Sequence, residues 1–220
     1  MPPPRIGLML ALFDLDGTLA DRRAGQHAWS VEFCADHGFD PAEVDWLMAA
    51  DGNGMVTKEE YFGRVRERYG LARSVDDLWR QYRDRQPTLV PAYEGMLDGL
   101  ERLRAAGWRI GVVTNGYEDV QTLTLTSSGI AEHVDGWAIS AAENVRKPDV
   151  RLFEIAAARA GAPLGDGWMV GDNAGADIGG GRAAGLRTAW VHHDRSWPAE
   201  LDVPDHIVAG AVEVVPLILR

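Results

Sequence analysis

The chain has 220 residues, 46% hydrophobic and 25% charged, which is enough for one good core plus a small accessory unit and excludes a disordered or fibrous chain. Its formal net charge of -11 repels nucleic acid and acidic membrane surfaces, so a site for any anion must rest on local cations. Cys34 is the single cysteine, which rules out an intramolecular disulfide and fits a reducing compartment.

In chain order, the first pattern is the apolar run Ile6 to Phe13. It is too short to span a bilayer, runs into acidic residues and carries no small-residue cleavage site, so the expected location is the cytoplasm. Near-continuous apolarity is what a strand buried on both faces requires. From Asp21 to Gln86 only helical patterns follow, over Gln26–His37, Pro41–Ala49, Lys58–Tyr69 and Ser74–Arg85. Seven arginines lie from Arg64 to Arg85, and interspersed carboxylates such as Glu67, Asp77 and Asp84 make this a solvated face.

After Pro87 and Pro91 the pattern changes. Glu94–Ala106 places Leu97, Leu100 and Leu103 on one helical stripe and stops at Gly107. Strand-like runs follow at Arg109–Thr114, Gly136–Ser140, Gly167–Gly171, Arg187–His192 and His206–Ala209. Between them, Pro148 opens a helix closed by Gly161, and Asp177–Ala184 reads as a helix weakened by Gly179-Gly180-Gly181. Strands alternating with helices predict an α/β fold, a doubly wound parallel sheet with right-handed crossovers. The predicted division is a core of residues 1–20 and 87–220 around an all-helical insertion, 21–86.

Four segments carry chemistry, three at the carboxyl end of an apolar run and one, Lys147-Pro148, at the start of a helix. Asp14-Leu15-Asp16-Gly17-Thr18-Leu19 brings two carboxylates to the sheet's ligand crevice, where one can attack phosphorus and the other can shuttle a proton. Thr114-Asn115-Gly116 offers a hydroxyl, a short amide and an open glycine N–H as a cup for phosphate oxygens. Lys147-Pro148 is notable because the chain holds 20 Arg and only two Lys; a Lys here suggests a need for a compact ammonium beside a carboxylate and a phosphate. Gly171-Asp172-Asn173-Ala174-Gly175-Ala176-Asp177 adds two carboxylates, hard oxygen ligands suited to Mg²⁺.

In this order the four motifs resemble the haloacid dehalogenase-like hydrolase superfamily, specifically members with a helical cap inserted after the first strand of a Rossmann-like core. The resemblance implies a Mg²⁺-dependent phosphatase acting on a small phosphorylated metabolite. Asp14 would be the nucleophile that becomes an aspartyl-phosphate, and Asp16 the general acid/base. Thr114, with the Asn115 and Gly116 backbone, would hold the phosphoryl oxygens, and Lys147 would neutralise nucleophile and phosphate. Asp14, the Asp16 carbonyl oxygen and Asp172 would bind Mg²⁺, with Asp177 orienting that site. The cap would expel water and choose the substrate.

Alternative readings follow from the same residues. A dehalogenase needs no acid at Asp16. A phosphonatase would need Lys58 as a Schiff-base amine, which Glu59 and Glu60 disfavour by keeping it protonated. A sugar phosphomutase shares Asp14 and Asp16 and stays open, as does a catalytically silent scaffold. Asp51 to Glu60 resembles the later part of a calcium loop, but its first ligand position falls on Ala49, and a turn before a helix capped by Thr57 explains it. His192-His193 point to opposite faces of extended backbone and read as loop residues, not as a shared metal site.

Overall fold

In the computed structural model, which describes residues 9–220, the apolar runs become strands β1 (Met9–Phe13), β2 (Trp108–Thr114), β3 (Gly136–Ile139), β4 (Trp168–Gly171), β5 (Arg187–Val191) and β6 (His206–Val208). The predicted strand start at Ile6 to Leu8 lies outside the described residues. The strands form one sheet in the order β3-β2-β1-β4-β5-β6, with every neighbouring pair parallel. The order reverses direction at β1, so the β1 carboxyl end lies between those of β2 and β4. That is where an open parallel sheet has its ligand crevice.

The described chain divides into two compact units. One is the α/β unit, up to Ala20 and from Ala92 to Arg220; the other is helical, Asp21–Pro91.

The helical unit contains α1 (Arg22–His37), α2 (Glu43–Asp51), α3 (Lys58–Tyr69) and α4 (Val75–Arg85). Asp21, Thr57 and Ser74 cap α1, α3 and α4 by accepting backbone N–H bonds that the first turn leaves open. A core rich in aromatic rings holds the helices together: Trp29 stacks on Phe33 at 4.9 Å and meets Tyr82 edge-on at 5.0 Å. Asp51, in the segment resembling a calcium loop, is buried and spends its carboxylate inside the protein. Its two oxygens accept from Arg22 at 2.9 and 2.6 Å, while Lys58 donates to Oδ1 at 3.0 Å and Gly54 N to Oδ2 at 2.8 Å.

In the α/β unit, α5 (Met96–Ala105) follows the predicted Leu stripe, with Leu100 and Leu103 fully buried. Next comes α6 (Glu118–Ser127), a helix that the sequence pattern does not predict. Its Leu-Thr-Leu-Thr stretch alternates with the period of a strand, and its β-branched threonines are weak helix formers. Tertiary packing decides in favour of the helix, burying Gln121, Thr124 and Leu125.

The short α7 (Ser140–Glu143) leads to α8 (Val150–Ala160), capped by the Asp149 side chain. Helix α8 packs Leu152, Phe153, Ala156 and Ala160 with Leu10, Leu12, Val113 and Met169 in the main core. The helix predicted from Asp177 begins earlier, as a wide π-helical turn over Ala174–Gly179 that runs into α9 (Gly180–Ala183). The glycine run that weakens the helical pattern has a packing reason, since a Cβ on Gly180 would lie 2.6 Å from the Phe153 ring. The described chain closes with α10 (Val215–Ile218). No helix among the described residues is long and apolar enough to cross a membrane.

Candidate active site

Asp14 is the first residue past β1, and its N–H donates to Val170 O at 2.9 Å, extending the β1–β4 ladder by one rung. The chain then turns sharply, with Leu19 N and Ala20 N both donating to Leu15 O at 3.0 and 2.9 Å. Gly17 sits in the turn at φ 79°, a left-handed conformation that costs glycine nothing, and a Cβ there would lie 3.0 Å from Asp172 Oδ2.

Lys147 reaches this point from the loop before α8. Its buried ammonium lies 2.5 Å from Asp14 Oδ1, 2.7 Å from Asp177 Oδ1 and 2.7 Å from Val113 O. Its backbone is held in turn by Asn115, whose Oδ1 accepts from Lys147 N at 2.9 Å and whose Nδ2 donates to Lys147 O at 3.2 Å. The Lys147–Pro148 peptide is cis.

Asp172 follows β4. Its carbonyl oxygen accepts from Trp190 Nε1 and from Arg195, both at 2.8 Å, and its Oδ2 accepts from Arg195 at 2.9 Å. Asp177 is fully buried on the π-helical turn, and its Oδ2 accepts from Asn173 N at 2.8 Å. One carboxylate oxygen from each of Asp14, Asp172 and Asp177 lies within 4.8 Å of the others.

The three carboxylates face one buried ammonium, Lys147, and one half-exposed guanidinium, Arg195. Burial pushes the Asp14 carboxyl well above the usual range; Lys147 pulls it back, while Asp177 and Asp172 add to the rise. Asp172 is likewise raised by burial and by Asp177, against the opposing pull of Arg195. Burial acts to lower the Lys147 pKa, but Asp14 and Asp177 outweigh it and hold the ammonium firmly charged. The cluster therefore lacks positive charge even before an anionic ligand arrives. Hard carboxylate oxygens converging on one point fit a Mg²⁺ ion, which takes few protein ligands and keeps several waters.

The remaining predicted residues divide by what they touch. Thr114 is buried, and its Oγ1 accepts from Gln121 at 3.2 Å. The Gly116 N–H, expected to be open, instead donates to Ser140 Oγ at 3.0 Å. The Asp16 carboxylate stands apart from the acidic triad and accepts from Gln121 Nε2 at 2.9 Å. Asp177 is the third carboxylate of the cluster.

Two participants were not singled out from sequence, Gln121 and Arg195, and His193 was read only as a loop residue. His193 Nε2 lies 2.5 Å from Gly17 O, so the adjacent histidines do lie in a loop, with one of them bracing the Asp14–Ala20 turn. Gln121 lies on the unpredicted helix α6, and no local pattern marks it.

A family model of haloacid dehalogenase-like hydrolases matches residues 11–191, and the chain belongs to that family. The pyrophosphatase PpaX of Bacillus velezensis is 30% identical over 82% of this chain and 81% of its own. A phosphoserine phosphatase of Thermus thermophilus is 36% identical over 54% of this chain. The pyrimidine 5'-nucleotidase YjjG of Escherichia coli is 35% identical over 51% of this chain. The matches to these last two span about half of their lengths, 47% and 50%. Among solved structures, the HAD-hydrolase YfnB of Bacillus subtilis shares the fold with a TM-score of 0.73 at 22% identity, covering 96% of this chain and 99% of that one.

Proposed function

We propose that this protein is a Mg²⁺-dependent phosphatase that hydrolyses a small phosphate monoester through an aspartyl-phosphate on Asp14. The observation that carries this reading is the Lys147 ammonium, shared between Asp14 and Asp177 beside Asp172 and Thr114 at the sheet's reversal point. Hydrolysis of phosphate compounds is also the activity named for the pyrophosphatase and phosphoserine phosphatase relatives.

Asp14, Asp172 and the Asp16 carbonyl oxygen are assigned to the ion, with Asp177 orienting the cluster. When bound, Mg²⁺ offsets the repulsion between the Asp14 carboxylate and a phosphate dianion. In the first step an Asp14 carboxylate oxygen attacks phosphorus, the ester P–O bond breaks, and Asp16 gives its proton to the leaving oxygen. In the second step Asp16 takes a proton from water as the water oxygen attacks phosphorus, and the P–O bond to Asp14 breaks. Lys147 stays protonated throughout and balances charge on Asp14 and the phosphoryl group. The Thr114 hydroxyl and the Asn115 backbone N–H are assigned to the phosphoryl oxygens. Gly116 N–H joins them on releasing Ser140 Oγ. The helical unit is assigned the role of the substrate-selecting cap.

The test is a screen of phosphorylated metabolites, with an aryl phosphate as reference, using wild type beside Asp14→Asn. Release of phosphate only with Mg²⁺, and none from the variant, is expected. Turnover that survives Asp14→Asn would sink the mechanism, and the compounds hydrolysed would define the substrate.

A further inference from the structure

The side chain of Gln121 is buried and reaches out of helix α6 to two of the four segments that carry the predicted chemistry. Its Nε2 donates to Asp16 Oδ2 at 2.9 Å and lies 3.2 Å from Thr114 Oγ1 and 3.3 Å from Asn115 O. A carboxylate and a carbonyl can only accept, so the amide must present its NH₂ to them, which settles the orientation of the side chain. Its own Oε1 is buried without a hydrogen-bond partner, a cost that side-chain packing alone does not explain. Gly116 leaves the space this amide occupies, because a Cβ there would lie 2.4 Å from Gln121 Nε2. Asp16 Oδ1 accepts no hydrogen bond from the described residues, so the carboxylate is tethered by one oxygen and has the other available.

We propose that Gln121 is the positioning residue for the general acid/base: it holds Asp16 by Oδ2, keeps Oδ1 for proton exchange, and ties that carboxylate to the Thr114–Asn115 phosphate cup. This rests on the phosphatase reading above. Gln121 touches neither phosphorus nor the leaving group, and it acts by restricting the rotamer of Asp16.

The test compares leaving groups. A poor leaving group, such as an alkyl phosphate, needs its oxygen protonated as the bond breaks, whereas 4-nitrophenolate departs without help. Gln121→Met keeps the side-chain volume and removes the donors; Gln121→Glu keeps the shape and replaces the NH₂ by an acceptor, and serves if the first variant fails to fold. Each is expected to lower kcat/KM about 10²-fold for the alkyl ester and under about tenfold for the aryl ester, within the range a positioned general acid contributes. Asp16→Asn should show the same split, and Asp14→Asn should be inactive on both esters. An equal loss on the two esters, or no loss, in the Gln121 variants while Asp16→Asn shows the split would overturn the positioning role and leave the phosphatase reading intact. Activity in Asp14→Asn, or no split in Asp16→Asn, would overturn that underlying reading and this inference with it.

Discussion

The Lys147 ammonium donates to Asp14 Oδ1 at 2.5 Å, and both side chains are at least nine-tenths buried. A bridge this deep is expensive to break, because the partner left behind is a charge without water. Lys147→Met is therefore expected to cost roughly 3–5 kcal/mol of stability and to reduce kcat about 10²–10³-fold, the usual loss when one preorganised electrostatic group is removed. Lys147→Arg should not restore activity, since a planar guanidinium cannot replace a compact ammonium among Asp14, Asp177 and Val113 O. Denaturant melts and steady-state kinetics check both statements, and near-wild-type turnover in Lys147→Met would remove its proposed role.

The clustered carboxylates of Asp14, Asp172 and Asp177 could hold a metal ion, and the proposed function assigns magnesium to them. Adding Mg²⁺ should raise the thermal midpoint, by the equivalent of about 2.7 kcal/mol at a hundredfold excess over its Kd. Asp172→Asn should shift this dependence to higher Mg²⁺ concentration. Calorimetric titration measures the effect without turnover, and identical Mg²⁺ affinity in the variant would show that Asp172 is not a ligand.

Asp51 gives the helical unit its own acid sensitivity. Burial acts to raise its pKa, but Arg22 and Lys58 outweigh burial and hold the carboxyl below its usual value. A depressed folded-state pKa contributes stability above the unfolded value, about 3.9, and that contribution disappears as pH falls through the lower folded value. Asp51→Asn should be destabilised at pH 7 by roughly 1.5–3 kcal/mol, the range for hydrogen bonds to charged groups. Its deficit relative to wild type should shrink below about pH 4. Urea midpoints across pH measure this, and a deficit that grew on acidification would contradict the assignment.

Gly171 closes β4 where Asp177 presses against it. A Cβ at Gly171 would lie 2.3 Å from Asp177 Oδ2 and 2.4 Å from its Cβ. Gly171→Ala should cost about 1–3 kcal/mol through overpacking and should weaken Mg²⁺ binding by pushing Asp177 off Lys147. A melt and a Mg²⁺ titration matching wild type would show that the turn yields more easily than the geometry implies.

How far the site could be read in advance depended on how local its signals are. The Asp14, Thr114 and Asp172 motifs each sit at a strand end and Lys147 lies just before helix α8, so chain-local patterns pointed to them, and the parallel order of β2, β1 and β4 brought the strand ends together. Gln121 escaped because it lies on α6, whose alternating Leu and Thr residues imitate a strand. Arg195, and the contact that the loop residue His193 makes, escaped because their partners, Asp172 and Gly17, lie far away in sequence. The Gly116 N–H looked open in sequence because nothing local announces Ser140 as its acceptor. Asp51 was readable as part of a turn but not as the anchor of Arg22 and Lys58, a pairing made across three helix ends.

The sequence by itself determined the alternation of buried strands and helices, the separate helical stretch and the placing of carboxylates at strand ends and of a rare lysine before a helix. Hydrophobic period and turn chemistry are properties of neighbouring residues, so they can be read from the chain alone. Only the tertiary structure decided which charges share an oxygen, which N–H groups are already taken, and that Gln121 tethers Asp16. Those facts depend on distances of about 3 Å between residues remote in sequence, and packing, not pattern, sets such distances.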